Sequence, residues 1–302
     1  MTQEWYKSER DFKRFLKLEK HLADNSVEAY LRDVRHLSRF AEENRLAPEQ
    51  VGLEDLQRLI KELNGTDIAL STQSRLISGW RTFYKMLQVE GVVEDNPAEL
   101  LEMPRTSRHL PDVLTNDDID RIEATFDLSN PSQARNKVII EVLYGCGLRV
   151  SELTGLRLAD VYKEEECLLV TGKGSKQRWV PINRQALRQL DNYIFAIRSH
   201  IIPKKGEENY VFLNTRGTHL SRIYVFKFIQ EAVTQAGVNK KVSPHSFRHS
   251  FATELVQNGA DLRAVQEMLG HASITTTEIY THLSRQYLRQ TIETYHPHYK
   301  KR

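Results

Sequence analysis

The sequence predicts a mainly α protein with a small β-sheet, divided into an N-terminal helical bundle and a larger mixed α/β domain. Three observations predict it. Apolar residues recur at helical spacing through residues 1–103. A basic stretch bounded by prolines, Pro104-Arg-Thr-Ser-Arg-His-Leu-Pro111, then reads as a linker over 104–112. In the remainder, 113–302, two short β-rich runs at 167–170 and 178–182 flank a glycine-rich turn. A chain of 302 residues has room for two cores of ordinary size.

In the first domain, residues 11–19 place Phe12, Phe15, Leu16 and Leu18 at near-helical spacing. Ser26 reads as the cap of a helix carrying Tyr30, Val34, Leu37 and Phe40. Residues 54–63 carry Leu56, Leu59, Ile60 and Leu63. Residues 71–88 carry Leu76, Trp80, Phe83, Tyr84 and Leu87, after which Gly91 and Pro97 punctuate. In the second domain, Thr115-Asn-Asp-Asp118 opens a helix. Residues 132–144 form an apolar helix stopped by Gly145-Cys-Gly147. Thr171-Gly-Lys-Gly-Ser-Lys176 turns a hairpin, and everything after Arg184 reads as mostly helical. No repeat of solenoid period is present.

Composition narrows the function classes. At 40% hydrophobic and 27% charged, with apolar residues recurring throughout, the chain is globular rather than disordered. The lack of any run of about 18 apolar residues predicts no membrane span. The charged start, residues 1–19, predicts no secretory signal. Two cysteines, Cys146 and Cys167, exclude a disulfide framework and a cysteine-based zinc site, so a reducing cytoplasm is the expected location. The net charge of +3 hides an asymmetry: residues 1–103 carry −4 and residues 104–302 carry +7. That makes the second domain the better polyanion binder, although +7 also lies within ordinary scatter.

Several punctuated spots carry chemistry. Arg149 follows the glycine break, at the start of the next helix. A bound anion there would offset the unfavourable sign of an arginine near a helix N-terminus. A surface arginine, or one paired with Glu152, fits the same position. Lys173 lies at the tip of the glycine-rich turn. A phosphate-binding P-loop is excluded there, because the first glycine is missing and the order is strand–turn–strand. A turn lysine can reach into a groove or donate a proton, or simply solubilise the turn. In Ser243-Pro-His-Ser-Phe-Arg-His-Ser-Phe-Ala252, Ser243 and Pro244 start a helix, and Phe247, Phe251 and Leu255 mark its buried stripe. His245 and Arg248 then share a face and suit a phosphate oxygen with a nearby proton. A zinc pair from His245 and His249 lacks a glutamate after His245 and a third ligand nearby. His271 follows the helix stop at Gly270. Tyr280 falls on a short helix that Thr275 and Glu278 would cap.

Taken in order, Gly147-Leu-Arg-Val-Ser-Glu-Leu153, Thr171-Gly-Lys-Gly174, His245-Ser-Phe-Arg248, Leu269-Gly-His271 and Glu278-Ile-Tyr-Thr-His282 resemble the tyrosine recombinase (phage integrase) family, and within it the bacterial Xer recombinases. The resemblance covers essentially the whole chain. It implies a helical core-binding domain followed by a mixed α/β catalytic domain of the tyrosine recombinase type, the two forming a clamp around duplex DNA. Tyr280 would attack the scissile phosphate and form a 3′-phosphotyrosyl link. Arg149 and Arg248 would hold the non-bridging oxygens, with a hydrogen bond from His271. Lys173 would protonate the 5′-oxygen leaving group, and His245 would assist proton transfer at the tyrosine.

The resemblance implies no cofactor and no metal, since two fixed guanidiniums supply the electrostatics. The implied partner is a double-stranded DNA recombination site. By the same resemblance four protomers would hold two such sites, with a second related recombinase and a DNA translocase as regulator among the partners, and with no membrane involved. The C-terminal segment 283–294, with Leu288 and Ile292, would dock on a neighbouring protomer or pack on its own chain. The implied role is resolution of chromosome or plasmid multimers. The start directly at the core-binding bundle favours it over integration of a phage or mobile element. The other readings are a sequence-specific DNA-binding protein without catalysis, which strand cleavage would exclude, and a type IB topoisomerase-like enzyme, which would relax plasmids lacking any recombination site.

Overall fold

The computed structural model describes residues 2–66, 68–104, 112–270 and 283–300. The chain separates into two compact units, Met1–His109 and Leu110–Arg302. The first holds α1 (Gln3–Leu18), α2 (Asp24–Glu43), α3 (Leu53–Asn64) and α4 (Leu70–Val89). Their apolar stripes converge on a core that includes Trp5, Phe12, Leu16, Val34, Leu37, Trp80 and Phe83. Both buried indoles find acceptors, as burial requires: Trp5 Nε1 donates to Leu46 O at 3.0 Å and Trp80 Nε1 to Asp33 O at 2.8 Å.

Two boundaries differ from the sequence reading. Helix α1 starts at Gln3, because Trp5 lies on the same buried stripe as Phe12 and Leu16, while Leu18 points outward at 65% exposure. Helix α2 starts at Asp24 with Ala23 at the cap, so Ser26 sits inside the first turn and does not cap it.

The second unit opens with α5 (Asn116–Ala124), capped as expected. Thr115 Oγ1 accepts from Asp118 N at 3.2 Å, and Asp118 Oδ2 accepts from Thr115 N at 2.8 Å. Asn130 caps α6 (Pro131–Cys146), which ends where the glycines place its stop, on left-handed Gly147. Next come α7 (Val150–Gly155) and an antiparallel sheet of β1 (Val161–Tyr162), β2 (Cys167–Thr171) and β3 (Gln177–Pro181) in that spatial order. Cys167 faces Pro181 and Thr171 faces Gln177, so residues 172–176 close the expected hairpin. The two-residue β1 is too short to show any alternation in sequence.

After α8 (Arg184–Ala196) the helical expectation fails over 201–221. That stretch holds turns and the bridges Arg157↔Tyr210 and Leu213↔His219, with Pro203 and Gly206 breaking any helix. Helices resume with α9 (Arg222–Gln235), α10 (Pro244–Gln257), α11 (Leu262–Leu269), α12 (Leu283–Tyr295) and α13 (Pro297–Lys300). A large core joins α6, the sheet, α8 and α9. A smaller one gathers Phe251 and Leu255 of α10, Val265 and Met268 of α11, and Leu288 and Ile292 of α12. The apolar stripe of α12 is thus buried within its own chain. No helix among the described residues is long and apolar enough to cross a membrane.

Candidate active site

The chemistry of the second unit gathers around one buried carboxylate. Glu152, on α7, has a side chain only 2% exposed. Three arginines from different elements surround it. Arg149 stands at the N-cap of α7, one position outside the helix, where its backbone N–H donates to Glu152 Oε2 at 2.7 Å and its Nη1 to Oε1 at 2.8 Å. Arg178, on β3, forks onto both oxygens, Nη1 to Oε1 at 2.8 Å and Nη2 to Oε2 at 2.9 Å. Arg248, on α10, brings Nη1 to 3.9 Å from Oε2. The pairing of Arg149 with Glu152 and a role for Arg149 in anion binding are compatible, because the arginine stays 32% exposed.

Backbone carbonyls at two helix ends hold the same guanidiniums. Arg248 donates from Nη1 to Gly147 O at 2.8 Å, at the end of α6, and from Nη2 to Leu269 O, the last residue of α11. Arg178 Nε donates to Met268 O at 2.6 Å, and Arg149 Nη2 to Gly270 O at 3.3 Å. Burial opposes ionisation of Glu152, but the Arg178 fork and the Arg149 bonds outweigh it and hold the carboxyl below its ordinary value. Burial, with the charges of Arg149 and Arg178, pushes Arg248 down to about 10, so it stays charged at neutral pH. Three guanidiniums against one carboxylate leave two positive charges in excess, partly exposed through Arg149, a charge balance suited to an anion.

Arg149 and Arg248 come together at Glu152. Lys173 lies in the hairpin turn, in the short 3₁₀ segment Lys173–Ser175. The turn starts against the cluster: a Cβ on Gly172 would stand 3.4 Å from Glu152 Oε1 and 3.6 Å from Arg178 Nη1. His245 is exposed in the first turn of α10, ahead of the buried Arg248. Ser243 occupies the cap of that helix, but its side chain caps no N–H; Ser246 Oγ instead accepts from Ser243 N at 3.0 Å. His271 and Tyr280, with the cap pair Thr275 and Glu278, lie outside the described residues. Among the described residues, no group of three or more His, Cys, Asp or Glu side chains is placed to hold a metal ion.

The sequence motifs do not point to Arg178, yet the strand pattern carries a signal for it. It alternates with Val180 and Ile182, both buried, so a charged side chain on the inward face of the strand demanded a partner.

Comparison with known proteins bears on both units. Residues 112–287 match the phage integrase family, and residues 10–91 match the phage integrase N-terminal SAM-like domain. The chain is 37% identical over 296 residues to a protein named tyrosine recombinase XerD from Chlorobaculum tepidum, covering 97% of each chain. It is 39% identical over 289 residues to one of the same name from Lacticaseibacillus casei, covering 95% of this chain and 97% of that one. Solved structures share the fold. The XerH site-specific recombinase bound to a palindromic difH substrate, a post-cleavage complex, has a TM-score of 0.70 at 22% identity, covering 94% of this chain and 84% of that one. The Tn1549 transposon integrase in complex with circular intermediate DNA has a TM-score of 0.72 at 19% identity, covering 93% and 98%.

Proposed function

The chain belongs to the phage integrase family of tyrosine recombinases, and on that premise we propose which of its residues cut and rejoin DNA. It is a site-specific recombinase, an enzyme that transfers DNA strands. The observation that carries the residue assignment is the cluster of Arg149, Arg178 and Arg248 about Glu152, with its excess of positive charge.

Tyr280 attacks the scissile phosphate, and its oxygen replaces the 5′-oxygen, leaving a 3′-phosphotyrosyl link and a 5′-hydroxyl end. Arg149 and Arg248 hold the non-bridging oxygens, where charge builds in the transition state, and His271 adds a hydrogen bond. Lys173 donates the proton that the departing 5′-oxygen needs. His245 assists removal of the tyrosine proton. Attack of a 5′-hydroxyl from the other strand reverses the sequence and rejoins the DNA.

The finer reading follows the Xer relatives. A core-binding domain over 1–103, a linker over 104–112 and a catalytic domain over 113–302 act together on duplex DNA. Four protomers hold two recombination sites, with a second related recombinase and a DNA translocase as further partners. The role is resolution of chromosome or plasmid multimers in the cytoplasm. The 37–39% identity to proteins named XerD supports this role over integration of a mobile element.

The test starts by selecting bound sites from genomic DNA, then building a nicked duplex of that site which traps the covalent intermediate. Tyr280→Phe removes one hydroxyl and little packing. It is expected to abolish covalent trapping and leave duplex binding almost unchanged. A Phe variant that still becomes trapped on the nicked DNA would show that Tyr280 is not the nucleophile.

A further inference from the structure

We propose that Arg178 is a positioning residue for strand cleavage: it takes up the charge of Glu152, so that Arg149 and Arg248 present theirs to the phosphate. This rests on the reading that the arginine cluster holds the scissile phosphate.

The geometry gives Arg178 a different task from its two neighbours. Its side chain is 13% exposed, and all three of its nitrogens are committed, Nε to Met268 O and the two terminal nitrogens to the two oxygens of Glu152. A planar guanidinium forked on a carboxylate makes the matched, neutral pair that a buried ion requires. Arg149 shares only one carboxylate oxygen through its side chain and keeps a third of its surface open; Arg248 stands 3.9 Å away.

Without Arg178, the full charge of Glu152 would fall on Arg149 at 2.8 Å and cancel half of the excess offered to an anion. Arg178 also connects three segments. It leaves β3 just after the turn that carries Lys173, crosses Glu152 of α7, and ends on the last turn of α11. Its shaft lies beneath the left-handed Gly270, where a Cβ would stand 3.0 Å from Arg178 Cδ. A lysine could carry the charge here but not the fork.

Single-turnover strand scission on the nicked duplex of the selected site tests this. Two versions are compared, one with the ordinary phosphate and one with a neutral methylphosphonate at the cleaved position. Removing the negative charge makes a missing positive charge matter less, and the ratio of the two rates on one preparation is independent of the fraction folded. On the ordinary phosphate, Arg178→Ala is expected to be slower by roughly 10–100-fold, by analogy with the loss of groups that orient metal ligands in other enzymes. On the methylphosphonate, it is expected to fall within about 3-fold of the unsubstituted protein. Arg178→Lys keeps the charge, so it should recover part of the phosphate rate and lose the methylphosphonate advantage. Arg149→Ala, which removes a direct phosphate partner, should show relief of its own. Equal slowing of Arg178→Ala on both substrates, with relief intact in Arg149→Ala, overturns the proposal and leaves the phosphate reading standing. No relief in Arg149→Ala overturns that reading, and this proposal with it.

Discussion

Gly147 joins the fold to the site, and replacing it with alanine should damage both. It ends α6 at φ 59°, in the left-handed region, and a Cβ there would stand 2.5 Å from Cδ1 of Phe251. The left-handed conformation costs a residue with a Cβ about 1–2 kcal/mol. Phe251 is completely buried, so its ring can yield only by disturbing the core of α10, α11 and α12; overpacking of that kind costs about 1–3 kcal/mol. Together these give about 2–5 kcal/mol, which for a unit of this size lowers the midpoint of thermal unfolding by roughly 4–20 °C. The control is Gly155→Ala on α7, where φ is not positive and nothing lies within 4 Å of the added Cβ. That change should be neutral or slightly stabilising. Thermal unfolding followed by circular dichroism reads both. Because Gly147 O accepts from Arg248, the first variant should also cleave more slowly per folded molecule. Equal midpoints for the two variants would refute the reasoning.

Arg149→Ala and Arg248→Ala should each slow single-turnover cleavage by about 10²–10³-fold, the cost of losing one transition-state donor; a near-normal rate in either sinks its assignment. Lys173→Ala should be rescued, at least in part, by sulfur in place of the 5′-bridging oxygen, because a thiolate leaves without a proton. Equal slowing on both substrates would make Lys173 a DNA-positioning group, and rescue of Lys176→Ala alone would move the acid to that lysine. Burial, with the facing Glu141 charge, raises the pKa of Glu123. Its neutral form is therefore favoured in the fold, and its contribution to stability is full below about pH 4 and lost as the pH rises. Glu123→Gln, a permanent neutral mimic, should raise the urea midpoint more at pH 8 than at pH 5; an equal change at both would contradict the sign.

Much of the fold is written in short-range chemistry. The Thr115 cap, the Gly147 stop and the β2–β3 hairpin each depend on residues within a few positions of one another, and each is where the sequence puts it. The start of α1 is different: Trp5 belongs to the helix because it packs against Phe83, far along the chain, with ring centroids 5.8 Å apart. Residues 201–221 show the opposite failure, since apolar Val211, Phe212 and Leu213 are buried without helical periodicity. At the candidate site, Arg149 and Arg248 are legible from helix starts and from the order of motifs. Their meeting point is not. Glu152 gathers side chains from α7, β3 and α10, and only folding brings these together. Helix α12 reads clearly as amphipathic, but amphipathicity alone does not say whether its stripe meets the same chain or another copy.

Why three guanidiniums can share one small volume is answered by where the helices end. The C-terminal carbonyls of a helix lack partners and carry the negative end of its dipole, so they stabilise cations by roughly 0.3–2 kcal/mol each. Helices α6 and α11 both finish on left-handed glycines, Gly147 and Gly270, and their terminal carbonyls point at Arg248, Arg178 and Arg149. These acceptors withdraw no net charge. They hold the arginines in place while leaving the positive excess available to a ligand, whereas a second carboxylate would have cancelled half of it. Glu152 supplies the one negative charge needed to keep a mostly buried Arg178 from standing alone. The fold itself therefore organises the cluster, and on the proposed reading an incoming phosphate would meet donors whose reorganisation cost has been met.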